Sequence, residues 1–443
     1  MDMYMDREML KAGSQEPAGG PLDGLPEILK PYLGGIERLD GHLQLNWQQH
    51  KLSSVFQPIV SFSHSRVVAH EALLRAVSPT GTPVSPLEIF GKLGVSEELL
   101  RLDRSTRLMH IINAGRSPGW FFLNMHPALF GSLLEADSTQ VMQEIGRYMN
   151  VSSSQFIVEI VEEEITDHIR FEEGVAALRS IGLGIALDDF GAGHSNFDRV
   201  WKIRPDVVKL DRSFSVKAET DRAVRRLLPQ IVGILHEAGT LVLLEGIETL
   251  EQARIAMDSN IDFGQGWYFA YPSGSPVQDP LSIKSTMDAV WDQQGKRADL
   301  AWEARRRVMA PYLDAIWLTA QRVAMGESLE QAASSYLGLP HVACLYMLDE
   351  LGRQVGNNLN APTSTKHRVK LGLGHMSGAR WSRRAYFIRA MHAPGIPQST
   401  RPYLSVATGN ICVTVSICVQ VNGKPIVVCG DVDWDELEAA SDI

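Results

Sequence analysis

Cysteine is scarce. Four occur in 443 residues, Cys344, Cys412, Cys418 and Cys429, and none forms a CxxC pair. That excludes a disulfide-stapled scaffold and a cysteine-ligated zinc ribbon, and it points to reduced, buried thiols in a cytoplasmic protein. Long apolar runs are absent too. Nothing approaches the roughly 20 residues of a membrane span, and no apolar leader segment opens the chain. Neither membrane insertion nor secretion is expected. Positive charge is in deficit, 42 Lys and Arg against 52 Asp and Glu, a formal net charge of -10. An acidic balance excludes broad, non-specific attraction to DNA or to anionic lipid, although not a local cationic site.

The remaining composition is ordinary. At 44% hydrophobic residues the chain is a globular protein too long for one typical domain. Residues 1–45 read as an N-terminal extension, partly flexible, through the Gly/Pro-rich stretch AGSQEPAGGPLDGLPE. From 46 to 280, short apolar runs alternate with longer helical patterns. The strand candidates are 54–60, 66–73, 120–124, 155–160, 184–188, 206–210, 240–245 and 261–268. Strand–helix alternation implies a mostly parallel sheet, and eight strands suit a (β/α)8 TIM-like barrel.

Residues 281–325 form a helical connector with an apolar seam at Met309, Leu313, Ile316, Ala320 and Val323. Such a seam either transmits a signal between domains or packs on its own domain. Pro311 is expected to break or kink this helix. Residues 326–443 form a small α+β domain. In ICVTVSICVQVNGKPIVVCGDVDW, alternating residues flank Asn422-Gly423, the signature of a hairpin closed by a type I′ turn.

Chemistry-bearing residues stand at the ends of the barrel strands: Glu71, Asn124, Glu159 followed by Glu162, Asp188 with Asp189, Lys209, Glu245 with Glu248, and Gln265. One acid at a strand end usually caps a helix or pairs with a surface lysine. The set is different, because in a (β/α)8 barrel these ends converge on one face. A convergent acid cluster is tolerable only when cations neutralise it. Oxygen ligands without Cys or His favour Mg²⁺ or Mn²⁺ over zinc. Two such ions about 3.5–4 Å apart, bridged by a carboxylate, suit phosphodiester chemistry. Asp188 would be the bridge and Asp189 would hold the second ion.

These residues lie in motifs, FQPIV, EALLR, LNMHP, VEIVEEE, LDDFGAGHSNF, DVVKLD, LEGIET and GQGWYFAYP, that run in this order between about residues 46 and 275. In that order they resemble the EAL family of cyclic di-GMP phosphodiesterases, named for the tripeptide present here as Glu71-Ala72-Leu73. The resemblance implies a homodimeric enzyme that hydrolyses cyclic di-GMP to linear pGpG with two divalent cations, Mg²⁺ or Mn²⁺. It implies Glu71, Asn124, Glu159 and Asp188 as ligands of the first ion, and Asp188, Asp189 and Glu245 as ligands of the second. Lys209, helped by Glu245, would orient or deprotonate the attacking water. Gln57, Leu74, Arg75, Glu248 and Gln265 would contact substrate or position the water, and Glu162 would couple the loop after Asp189 to the dimer interface. That loop departs from the family pattern at Ala192, His194, Ser195 and Asn196, and Met125-His126 departs after Asn124. None of these changes removes a ligand or the lysine. His126 and His194 are read as ordinary polar loop residues.

The C-terminal region resembles PAS-like or Cache-like sensor domains through RRAYFIRAMHAPG, RPYLSVATGNICVTVSICV and VVCGDVDW. The resemblance implies a small-molecule ligand, with Arg384, Tyr386, Arg401, Tyr403 and Asp431 as candidates to line its pocket; surface and turn roles for these residues stay open. Two further readings of the whole chain also stay open: a catalytically silent cyclic di-GMP receptor, and a signalling scaffold. No cyclase segment is visible.

Overall fold

The computed structural model describes residues 22, 24–94, 96–117, 119–126, 129–130, 136–161, 168–193, 197–362, 376–406 and 409–441. It divides into two compact units, residues 1–294 and 295–443.

The first unit is built on eight strands: β1 (His50–Ser61), β2 (Arg66–Val77), β3 (Trp120–Asn124), β4 (Phe156–Val161), β5 (Gly184–Phe190), β6 (Val207–Leu210), β7 (Leu241–Leu244) and β8 (Phe263–Gly264). They pair in the order β1-β8-β7-β6-β5-β4-β3-β2, and β2 pairs back to β1, so the sheet closes into a barrel. From β2 round to β8 every pairing is parallel. β1 is antiparallel to both its neighbours. That departs from the regular (β/α)8 pattern for a simple reason. Only residues 62–65 separate β1 from β2, whereas a parallel crossover needs about a dozen residues or more. The first two strands therefore form a hairpin.

The stretch before residue 46 is only partly an extension. Ile36–Leu39 and His42–Trp47 form a hairpin through the left-handed pair Asp40-Gly41 and add to β1. Leu25, Leu29, Leu43, Leu45 and Trp47 join the main core of the unit.

A second, separate apolar cluster takes one residue from each barrel strand: Ile59, Ala69, Phe122, Ile157, Ala186, Val207, Leu243 and Phe263. Side chains alternate along a strand, so residues two positions away face the same way. This cluster is the floor on which the candidate site stands.

The second unit carries a sheet of β9 (Val342–Leu348), β10 (Gln354–Asn360), β11 (Gln398–Ser399), β12 (Tyr403–Leu404), β13 (Ile411–Val421) and β14 (Lys424–Asp433). The order is β10-β9-β14-β13-β11, with β12 also on β13, and all pairings are antiparallel. The β13–β14 hairpin turns at Asn422-Gly423, both with positive φ, as a type I′ turn requires. The helix Lys284–Ala324 runs unbroken through Pro311. Its seam residues Met309, Ile316, Ala320 and Val323 are buried with Val413, Val415, Ile417, Val428 and Val432, so the seam packs on the C-terminal sheet. All four cysteines are buried and unbridged.

Candidate active site

Two residues beyond each floor residue, in the direction of the parallel strands, stands a polar one. Ala69 leads to Glu71, Phe122 to Asn124, Ile157 to Glu159, Ala186 to Asp188, Val207 to Lys209, Leu243 to Glu245 and Phe263 to Gln265. On β1, which runs the other way, Ile59 leads back to Gln57, paired across from Glu71. Eight strands thus deliver eight polar side chains to one layer.

Lys209 is its centre. Its side chain is 1% exposed, and Nζ lies 2.5 Å from Glu159 Oε1, 2.7 Å from Glu245 Oε1, 3.1 Å from Asp188 Oδ1 and 3.6 Å from Glu71 Oε1. Gln265 donates through Nε2 to Glu71 Oε2 at 2.7 Å and to Gln57 Oε1 at 3.3 Å. The side chain of Asn124 also hydrogen-bonds to Glu71.

The adjacent aspartates reach one pocket through a β-bulge. Opposite β6, Leu187 pairs with Val208 and Phe190 with Leu210, so Asp188 and Asp189 together face Lys209. Asp189 has a left-handed φ of 55°, and its N–H donates to Asp188 Oδ1 at 3.0 Å. In a regular strand the two side chains would point to opposite faces; the extra residue re-aims one of them. Asp188, Asp189 and Glu245 bring ligand oxygens within 4.8 Å of one another. After Gln265, Gly266 permits the close approach that holds this strand end. A Cβ there would lie 2.0 Å from the carbonyl oxygen of Ile247.

One ammonium does not balance this many acids. Burial, with the neighbouring charges of Glu71 and Asp188, pushes Glu159 well above the usual carboxylate range. Burial likewise pushes Glu245 up to about 8, against the opposing pull of Lys209. Burial alone would depress the Lys209 ammonium, but Asp188, Glu159, Glu245 and Glu71 together hold it well above its ordinary value. Glu71 shows the reverse balance: burial would raise it, yet Lys209 and Gln265 bring it below its ordinary value. Glu159 Oε1 lies against the Lys209 ammonium, while Oε2 is buried with no hydrogen-bond partner among the described residues. The layer is short of positive charge and rich in unused oxygen donors, which fits hard divalent cations.

Other expected site residues stand apart. Glu248 pairs with Arg212 at 3.2 Å, and its N–H donates to Gln252 Oε1, at the start of the helix Leu250–Asp258. Leu74 is half-buried, and exposed Arg75 donates to the Leu74 carbonyl at 2.9 Å. Glu162, His194, Ser195 and Asn196 lie outside the described residues. In the second unit, Arg384, Tyr386, Tyr403 and Asp431 do line one small cavity, with Tyr346, Trp381 and others, whereas Arg401 is not among its lining residues. Sequence reasoning did not find the bulge, nor a buried ion pair between Asp103 and Arg107 behind the Asn124 strand end. The only signal was a run of charges, LDRSTR, inside an otherwise amphipathic helix.

A closed barrel with a mouth of carboxylates suited to divalent cations defines the class. Within it, residues 40–272 match the EAL domain, and the chain belongs to that family. It is 27% identical over 236 residues to the probable cyclic di-GMP phosphodiesterase PdeB of Escherichia coli, covering 51% of this chain and 43% of that protein. It is 30% identical over 150 residues to the cyclic di-GMP phosphodiesterase RocR of Pseudomonas aeruginosa, covering 34% of this chain and 38% of RocR. The chain thus spans less than half the length of either relative. Among solved structures, Bacillus subtilis YkuI, which has an EAL domain and was crystallised with c-di-GMP and calcium, superposes with a TM-score of 0.72 at 20% identity. That match covers 86% of this chain and 96% of YkuI, so the likeness of fold extends past the barrel. Among the described residues, no helix is long and apolar enough to cross a membrane.

Proposed function

We propose that this chain is a phosphodiesterase that hydrolyses cyclic di-GMP to linear pGpG. The observation that carries the reading is the polar layer around Lys209, with four carboxylates within 3.6 Å of one ammonium. Two divalent cations, Mg²⁺ or Mn²⁺, would supply Lewis-acid stabilisation of the phosphate charge. Glu71, Asn124, Glu159 and Asp188 would hold one of them; Asp188, Asp189 and Glu245 would hold the other. Lys209, buried among the acids and helped by Glu245, would orient or deprotonate the attacking water. The water oxygen bonds to phosphorus as one P–O ester bond breaks, and the freed ester oxygen, which stays on the opened dinucleotide, takes up a proton as a hydroxyl. Gln265 and Gln57 would fix the orientation of Glu71. Arg75, exposed beyond the layer, would pair with a phosphate, with Leu74 and Glu248 as further substrate contacts.

Homodimerisation through the loop after Asp189 belongs to the same proposal. Trp201, 62% exposed on the helix Phe197–Ile203 that follows this loop, supports it. Regulation by a PAS- or Cache-like C-terminal domain that binds a small molecule is supported by the cavity lined by Arg384, Tyr386, Tyr403 and Asp431.

The test is to incubate the full chain with cyclic di-GMP and Mg²⁺ or Mn²⁺ and resolve the products by chromatography. Wild type should yield pGpG and Glu71→Ala none, with folding retained. Nucleotide binding without product in either metal, and still without product once the C-terminal domain is truncated, would contradict the enzyme reading and identify a receptor; product only after truncation would mean an enzyme held off by that domain.

A further inference from the structure

Helix α1 (Glu97–Ala114) buries three charged side chains, Asp103, Arg104 and Arg107. Asp103 and Arg107 form an ion pair in which both side chains are almost wholly buried. Burial pushes the Asp103 carboxyl up and the Arg107 guanidinium down despite their mutual attraction. Apolar residues of similar volume often stabilise such a position as well or better. Stability alone therefore does not account for the acid.

The second oxygen of Asp103 indicates its use. Oδ1 accepts the backbone N–H of His126 at 3.3 Å. His126 is the second residue past Asn124, where β3 leaves the barrel. Between them, the Met125 N–H donates to the Glu159 carbonyl at 3.3 Å. The His126 ring stacks on Phe90, with centroids 6.2 Å apart and planes 14° from parallel. Two successive peptide N–H groups after Asn124 are thus held, one by the next strand and one by a carboxylate fixed in place by Arg107. An apolar residue at 103 would remove the acceptor from His126 and the partner from Arg107.

We propose that Asp103, held by Arg107, is a positioning residue: it sets the strand exit that carries Asn124 and so tunes the affinity of the first cation site. This rests on the reading of Asn124 as a ligand given above. Groups that orient metal ligands typically change affinity by roughly 10–100-fold.

The test measures Mn²⁺ binding to the full chain by electron paramagnetic resonance, with no nucleotide present. Asp103→Leu/Arg107→Leu removes the pair and the acceptor together. Asp103→Asn/Arg107→Leu removes the charge but keeps an oxygen for His126. Asn124→Ala is the reference. The first double variant and Asn124→Ala should each weaken the tighter Mn²⁺ site by roughly tenfold or more, while Asp103→Asn/Arg107→Leu stays within about threefold of wild type. If Asp103→Leu/Arg107→Leu does not fold, Asp103→Ser/Arg107→Leu, whose hydroxyl is too short to reach His126, is read in its place. Wild-type affinity in the acceptor-free variant beside a weakened Asn124→Ala overturns the positioning role. Wild-type affinity in both overturns the ligand reading of Asn124, and the proposal with it.

Discussion

Asp188 and Lys209 meet across a β-bulge, Oδ1 to Nζ at 3.1 Å, and Asp189 is the extra residue that the bulge inserts. The relationship explains how two neighbouring carboxylates serve one pocket. Lys209 offsets part of their charge in the protein alone, and divalent cations would offset the rest.

Lys209 should therefore be structural as well as catalytic. In Lys209→Met, Glu71, Glu159, Asp188 and Glu245 lose their shared partner. Removing one member of a buried ionic network costs about 3–5 kcal/mol, to be read from urea unfolding in EDTA. Saturating Mn²⁺ should restore more stability to this variant than it adds to wild type. Turnover should stay at least about 100-fold below wild type even with metal, because the group proposed to orient the water is gone.

The two units should respond to pH in opposite senses at one buried group in each. Burial lowers His110 to about 4 from 6.5. Between those values the unfolded chain binds a proton that the folded chain refuses, so stability falls as pH drops from 6.5 to 4, by about 3 kcal/mol. Burial raises Asp431 to about 6 from 3.8. There the folded chain keeps a proton that the unfolded chain has lost, so stability falls as pH rises through that window, again by about 3 kcal/mol. His110→Gln should reduce one slope, the rest of which comes from His70, likewise lowered to about 4 by burial, and Asp431→Asn should reduce the other, in unfolding experiments across pH 4 to 7. Unchanged slopes would contradict the assignment.

Gly266→Ala tests the strand end that carries Gln265. The new Cβ would sit 2.0 Å from the Ile247 carbonyl oxygen and 2.3 Å from its nitrogen, and backbone cannot swing aside as a side-chain tip can. A stability loss of about 1–3 kcal/mol is expected. Turnover should fall several-fold through displacement of the Gln265 contact with Glu71, measured at saturating metal.

Much of this was legible in the sequence, for physical reasons. Strands such as 120–124 and 184–188 are short apolar runs bounded by polar residues, and their ends carry the acids. The step of two from floor to polar layer, Val207 to Lys209 or Ala186 to Asp188, is the strand period itself. What escaped was what depends on pairing partners. The antiparallel first strand follows from the short link between Ser61 and Arg66. The bulge at Asp188-Asp189 exists only relative to β6. Pro311 does not interrupt its helix, whose apolar seam is buried against the C-terminal sheet. The Asp103–Arg107 pair looks like a solvated helix face until its burial is known. Glu248 shares its sequence neighbourhood with Glu245, yet its partner is Arg212, because it stands just before the Thr249 cap of the next helix and does not end the strand.

The most direct test is the Mn²⁺ stoichiometry of the full chain, with Asp188→Asn beside it. Two saturable ions per chain in wild type, both weakened by the single substitution, is the result expected if Asp188 is shared between two cation sites. Two ions of which only one responds, or no saturable binding at all, would contradict it.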